Sequence, residues 1–482
     1  MITTTVEAAA APPATTSARP GPRGPVVARR APADDVPGGR LHSVDGVRFL
    51  AALGVVVYHY TALWSTVWGE DPGDRFPTVG PAVMYLSVAP ELFFVVSGFV
   101  VLWTAWGRSV PQIVASRLAR LYPAYWAALA ATSVLLLVIW PAGKRITLGE
   151  VAVNATLLQE ALGVRNVDGV YWTLYAELRF YLLVAVFAAV GITRRRVVAV
   201  AALWPVAAVV VERLGWDGVA ELLISRYAPF FAAGMLLFLV YRDGHTRPLW
   251  ALIGVNTVLA VATNLPVKAH ELRTATAFEP VTWLLAGALV ACVAAVALVA
   301  LTPVRRLSWR HLATLGAITY PLYLVHQFWG WWVIAHLSPY VPTPVALLAA
   351  VALALVLALA IHRLVEVRVN GRARRQLEAS LTRAASALRH AAHRARGQGA
   401  GDDLLPERGR GGRVEEHGRP DVARAVVETR DGRRAADATR AGRVPERQGQ
   451  PAHVHDVGAL ADRQGAQARA DEAHLAGRLP QE

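Results

Sequence analysis

Between residues 44 and 366 the sequence is divided into about ten apolar stretches, each near the length needed to cross a hydrocarbon layer roughly 30 Å thick. Their approximate spans are 47–67, 83–104, 121–140, 171–192, 197–212, 222–241, 249–267, 281–301, 313–335 and 344–365, the fifth being the shortest. Inside lipid the backbone must satisfy its own polar groups, and runs of this length do so as helices. The expected fold is therefore all-α, a polytopic membrane bundle of about ten transmembrane helices. Composition agrees: 54% of residues are hydrophobic and 17% charged, against about a quarter charged in soluble domains.

Charge in the connections orients the bundle, because cytoplasmic loops carry the Lys/Arg excess. If the N-terminus is cytoplasmic, the inner connections hold Arg108, Arg194, Arg195, Arg196, Arg247, Arg305 and Arg306. The outer ones hold Glu70, Asp71, Asp74, Glu150, Glu160, Asp168 and Glu271. This alternation predicts an even number of crossings, both termini cytoplasmic, and a multi-pass protein of the plasma membrane. No internal repeat is evident, which disfavours the duplicated transporter folds.

Three regions are expected. Residues 1–40, rich in Ala, Pro, Thr and Gly with five arginines, read as a disordered basic arm with no apolar core of a cleavable signal. Residues 41–370 form the membrane domain. Residues 371–482, dominated by Ala, Arg and Gly, read as a disordered cytoplasmic tail or as the product of a shifted reading frame. The net charge of +14 comes from arginines at the ends of apolar runs and in this tail, without aromatic interleaving, so it points to topology and lipid headgroups and not to nucleic acid. Cys292, the single cysteine, lies in an apolar run and excludes a disulfide framework. His453 and His455 lack companions for a metal site, so no metal is expected.

Polar residues inside the apolar runs are the candidates for chemistry. Arg48 and His59 lie eleven steps apart, which is about three helical turns and roughly 16 Å along one face. Ionisable groups at membrane depth are costly and by default face a polar cavity. Burial with a hydrogen bond to a neighbouring helix and acid–base catalysis are both open to His59. Glu91, Glu177, Arg179, Tyr320, Tyr323 and His326 add polar groups to the interior. An Arg179–Glu91 pair would neutralise two of them. Arg117 and Arg120, one turn apart at the expected cytoplasmic entry of the third run, suit either topological anchoring or the grip of a phosphate by paired guanidinium forks. Gly98, between Ser97 and Phe99, allows either close helix packing or a narrow passage for a ligand.

Five motifs stand in order along residues 41–366. They are Asp45-Gly46-Val47-Arg48 with His59; Glu91-Leu92-Phe93-Phe94-Val95-Val96-Ser97-Gly98-Phe99; Arg117-Leu118-Ala119-Arg120-Leu121-Tyr122-Pro123; Trp172-Thr173-Leu174 with Glu177 and Phe180-Tyr181; and Gly316-Ala317-Ile318-Thr319-Tyr320-Pro321-Leu322-Tyr323-Leu324-Val325-His326. In these the chain resembles the acyltransferase-3 family of integral membrane O-acyltransferases, in its stand-alone transmembrane form. The resemblance implies acyl-CoA as co-substrate, no permanently bound cofactor, and transfer of an acyl group to a hydroxyl of a carbohydrate or glycosylated acceptor, as in cell-envelope O-acetylation.

On this expectation Arg48, Arg117 and Arg120 hold the CoA phosphates at the cytoplasmic side, and the pantetheine arm passes Ser97, Gly98 and Phe99. The thioester then meets His59 as general base near mid-bilayer, with Glu177, the second catalytic candidate, nearer the outer face, where it orients the acceptor or the ring tautomer. Glu91, Trp172, Tyr181, Tyr320 and His326 support the acceptor side. Two positions depart from the family pattern: Arg179 stands where a polar, non-basic residue is common, and Glu366-Val367-Arg368 lacks a closing proline. The competing expectation is a non-enzymatic carrier in which Arg48, His59 and Glu177 bind solute or relay protons.

Overall fold

The computed structural model describes residues 41–307 and 309–399. The N-terminal arm 1–40 and the tail beyond 399, with His453 and His455, lie outside the described residues. Each apolar stretch is a helix: α1 His42–Thr61, α2 Ala89–Ala105, α3 Val110–Val134, α4 Trp172–Val190, α5 Arg194–Arg213, α6 Ala228–Asp243, α7 Arg247–Ala275, α8 Thr282–Leu301, α9 Arg310–Leu337 and α10 Thr343–Ile361. Among the described residues, six helical segments are long and apolar enough to cross a membrane: Gly80–Ala105, Val110–Ile139, Gly169–Val190, Arg247–Ala275, Thr282–Leu301 and Thr343–Leu388. Extended pairing among the described residues is confined to one bridge between Leu63 and Thr276.

Helix ends follow local chemistry. Ser109 precedes α3 and its N–H donates to the Gln112 side chain (3.1 Å), while Pro111 occupies the first turn, where its missing N–H costs nothing. Gly244, at φ 91°, closes α6 in a backbone region that suits glycine. Helices α3 and α10 run on into π turns, Leu135–Ile139 and His362–Glu366, a geometry frequent near functional sites.

The chain does not lose order at 371. An eleventh helix, α11 Val367–Gly399, continues α10 and packs along α3. Its Arg- and Ala-rich composition cannot fill a core, but alanine and arginine are strong helix formers, and the flank of α3 supplies the packing partner.

Helix α6 is the central element. Every residue from Ala228 to Val240 is buried, as expected of a helix apolar on all sides. It packs against α2, α5 and α7. A Cβ on Gly98 would stand 2.1 Å from the carbonyl oxygen of Phe231, and one on Gly234 would stand 2.0 Å from that of Val95. The two glycines thus let α2 and α6 cross at backbone contact.

Helix α9 packs beside α1, α10 and α3. A Cβ on Gly316 would meet the Asp45 side chain at 2.4 Å, and one on Gly330 would meet the Tyr60 ring. Two motifs far apart in sequence therefore lie against each other along the α1–α9 contact, and this holds the site.

Candidate functional site

His59 and His326 are brought together by that contact. Nδ1 of His59 lies 2.8 Å from Nε2 of His326, and Nδ1 of His326 lies 2.8 Å from the Tyr323 carbonyl. The second bond fixes the protons, because a carbonyl only accepts. With both rings uncharged, His326 donates through Nδ1 and accepts at Nε2, so His59 must donate through Nδ1. The one ring nitrogen of the pair left with a free lone pair is Nε2 of His59. Two further bonds lock the geometry: Tyr60 Oη donates to the His326 carbonyl (2.7 Å) and Trp331 Nε1 to the His59 carbonyl (3.0 Å).

His59 lines a cavity of about 220 Å³. It lies two residues before the end of α1, at the opposite end of the helix from Arg48 and not in its middle. Aromatic walls come from Trp64, Trp172, Tyr227 and Trp331. Both lysines of the chain, Lys144 and Lys268, also line it, with Arg226 and Glu271.

The stretch between α3 and α4 supplies part of the wall and is tied down by its own polar groups. Asn154 Nδ2 donates to the Arg165 carbonyl (2.9 Å), Val167 N–H donates to Asn154 Oδ1 (3.0 Å), and Tyr125 Oη donates to the Asn154 carbonyl (2.7 Å). At its end, burial pushes the Asp168 carboxyl up to about 7, against the opposing pull of the Val170 N–H and of Lys144.

A second cavity of about 100 Å³ holds the expected donor arginines. Arg48, Arg117, Arg120, Ser97, Glu177 and Tyr181 line it, and Tyr320 closes one side. Arg48 pairs with Asp45 at 3.8 Å. Arg117 is buried; its Nη2 donates to Thr104 Oγ1 (2.7 Å), and its guanidinium lies 5.8 Å from the centre of the Tyr181 ring. Glu177 accepts from Ser97 Oγ (3.2 Å) and from the Tyr181 hydroxyl. Pro90 and Tyr323 line both cavities, so the two are separated by a thin wall. In that wall Tyr323 Oη donates to the Val170 carbonyl (3.1 Å) and accepts from Thr173 Oγ1 (3.0 Å).

Several expected placements differ. Glu177, expected as the catalytic companion of His59 nearer the outer face, lines the cavity of the arginines instead, because its position one turn into α4 faces α2 and α3 across that cavity. Tyr181, one turn further along the same face, and Tyr320, whose hydroxyl donates to the Leu121 carbonyl (2.9 Å), belong there too. Of Ser97, Gly98 and Phe99, only Ser97 lines either of these two cavities. Helical rotation of about 100° per residue turns Gly98 onto α6 and sets the fully buried Phe99 against Phe238 and Tyr241. Arg179 does not neutralise Glu91. It lies over the Tyr175 ring at 4.2 Å and reaches Glu221 at 3.6 Å.

The partner of Glu91 is Lys268. The ammonium stands 3.2 Å from Glu91 and 3.0 Å from Glu271, and Arg226 reaches Glu271 at 2.7 Å. Lys268, Glu271 and Arg226 were not expected at the site. One signal pointed to the first of them: it is one of only two lysines in an arginine-rich chain, placed at the end of an apolar run. Trp172, expected on the acceptor side, lines the His59 cavity.

Neither a curated protein nor a solved structure matches the chain. Residues 41–363, about two thirds of its length and all of the helices that build the two cavities, match a family described as an acyltransferase domain, and the chain belongs to that family, acyltransferase-3.

Proposed function

We propose that this membrane acyltransferase moves an acyl group from acyl-CoA to a hydroxyl of a carbohydrate or glycosylated acceptor, with His59 as general base. The observation that carries it is the Tyr323–His326–His59 chain, which leaves one basic nitrogen on a ring that lines a cavity. In the step, the acceptor hydroxyl oxygen attacks the thioester carbonyl as its proton passes to His59 Nε2. The carbon–sulfur bond then breaks, and the leaving thiolate takes that proton back. Such a base is worth about two to four orders of magnitude in rate. His326 touches no reacting atom; it is a positioning residue that fixes the tautomer and plane of His59.

The arginine cavity is the donor side. Three guanidiniums converge there, a chemistry suited to the phosphates of CoA, and Glu177 balances part of their charge while holding Ser97 and Tyr181. Tyr323 and Pro90 form the partition that the pantetheine arm crosses to present the thioester to His59. In this account all ten helices α1–α10 cross the plasma membrane with both termini cytoplasmic. The arginine-rich connections at the Arg48 end and the acidic ones at the His59 end support that orientation. The donor then enters from the cytoplasm and the acceptor from the outer side.

The test is release of CoA thiol by the purified full-length protein given acetyl-CoA with and without soluble glycosides. Glycoside-dependent release, with the label recovered as an ester of the sugar, is the expected result. Release that ignores the glycoside would overturn the transfer.

A further inference from the structure

The wall of the His59 cavity carries a chain of four alternating charges, Glu91–Lys268–Glu271–Arg226. Glu91 is fully buried, and the other three line the cavity while bonded to one another. Arg226 is held further by Asn264, whose Oδ1 accepts from its Nε (3.2 Å) and whose Nδ2 donates to its carbonyl (2.9 Å). Two acids thus balance two bases. The remaining cation of the wall, Lys144, lies in the field of the buried Asp168 carboxyl. Buried ion pairs are seldom needed for stability, since apolar groups of the same size often serve as well. What this chain supplies is a row of fixed donors and acceptors with no net charge.

We propose that the chain Glu91–Lys268–Glu271–Arg226 makes the His59 cavity select an uncharged, polyhydroxylated acceptor ring and reject one that carries a carboxylate, phosphate or amine, an inference that rests on His59 being the base of the acyl transfer above. A sugar hydroxyl can donate to Glu271 and accept from Lys268 or Arg226 without altering the charge of either. An anion approaching Lys268 must compete with Glu91 and Glu271, and meets their repulsion in a medium of low dielectric. A cation approaching Glu271 meets Lys268 and Arg226 in the same way. The rings of Trp172 and Tyr227, 5.4 Å apart, together with Trp64 and Trp331, offer apolar faces for the C–H side of a sugar. Glu271 is the pivot, because it alone bridges both bases.

The experiment uses the full-length protein in nanodiscs at pH 8, above the range in which Asp168 takes up a proton. Binding of methyl glucoside, methyl glucuronide and methyl glucosaminide is read by tryptophan fluorescence without acyl-CoA, and transfer is then read with acetyl-CoA. The glucoside is expected to bind at least about tenfold more tightly than either charged analogue. Glu271→Gln leaves an excess of positive charge and is expected to shift the glucuronide-to-glucoside ratio about tenfold upward and the glucosaminide ratio downward. Equal binding of all three glycosides by the parent protein, or binding of none, overturns the proposal even if the variant does not fold. Unchanged ratios in a folded Glu271→Gln protein overturn it too. Because binding is read without donor, selective binding with no His59-dependent transfer refutes the catalytic role of His59 alone. Transfer with no charge preference refutes the selectivity alone.

Discussion

Nδ1 of His59 and Nε2 of His326 lie 2.8 Å apart, although 267 residues separate them in the chain. The bond is supported at both ends, by the Tyr323 carbonyl on one ring and by Trp331 on the backbone of the other. A histidine that only filled space in an apolar bundle would not need its second nitrogen left free on a cavity wall.

Replacing His326 is therefore expected to slow the reaction without weakening substrate binding. His326→Ala should lower kcat about 10- to 100-fold with KM nearly unchanged, a split that steady-state kinetics resolves. His326→Gln should recover part of the rate, since its amide oxygen can accept from Nδ1 of His59.

At the other cavity, Arg117 is expected to act on the donor. Arg117→Ala should raise the Kd for acyl-CoA about tenfold or more, and the difference should shrink as salt is raised. Titration of CoA by calorimetry at two salt concentrations checks this. Arg117→Lys should not restore affinity, because an ammonium lacks the planar fork that can bond Thr104 and a phosphate at once.

Gly98 is expected to matter for folding and not for passage of the donor. In Gly98→Ala the new methyl has no space against the Phe231 carbonyl, and overpacking of this kind costs about 1–3 kcal/mol or more. Thermal unfolding in detergent should show a lowered midpoint, while any protein that does fold should bind acyl-CoA normally.

Asp168 sets a pH dependence of stability. Its folded-state pKa, raised by burial to about 7, lies above that of the unfolded chain, about 3.9. The folded state thus holds the proton more firmly, and this group's contribution to stability falls as pH rises from about 4 to 7. Asp168→Asn keeps an oxygen for the Val170 N–H and has no proton to lose. The midpoint of the variant relative to the parent is expected to rise between pH 5 and pH 8, and a constant difference would contradict the placement of this carboxyl.

Much of this architecture was legible in the sequence, and the remainder was hidden for physical reasons. The ten helices were marked by apolar length, and the juxtaposition of Arg48, Arg117 and Arg120 by their common end of the bundle. Depth was less readable. Glu177 was expected as the catalytic companion of His59, nearer the outer face, but helical phase gives the face of a residue without saying which neighbouring helix shares its level. The Ser97-Gly98-Phe99 run was expected to line one passage, yet three successive helical residues necessarily face three directions. Lys268 and Glu91 are 177 residues apart, and no local pattern joins them. Helix α11 was missed because its composition argues against a core, whereas a helix needs only propensity and one flank to lean on.

Whether His326 acts through His59 is read by a double-mutant cycle on single-turnover transfer to a glycoside. His59→Ala is expected to cost about 10² to 10⁴ in rate, and His59→Ala/His326→Ala to be no slower than His59→Ala alone, because the second residue has nothing left to orient. Rate losses that multiply in the double variant, or a folded His59→Ala protein that transfers at the parent rate, would contradict the account.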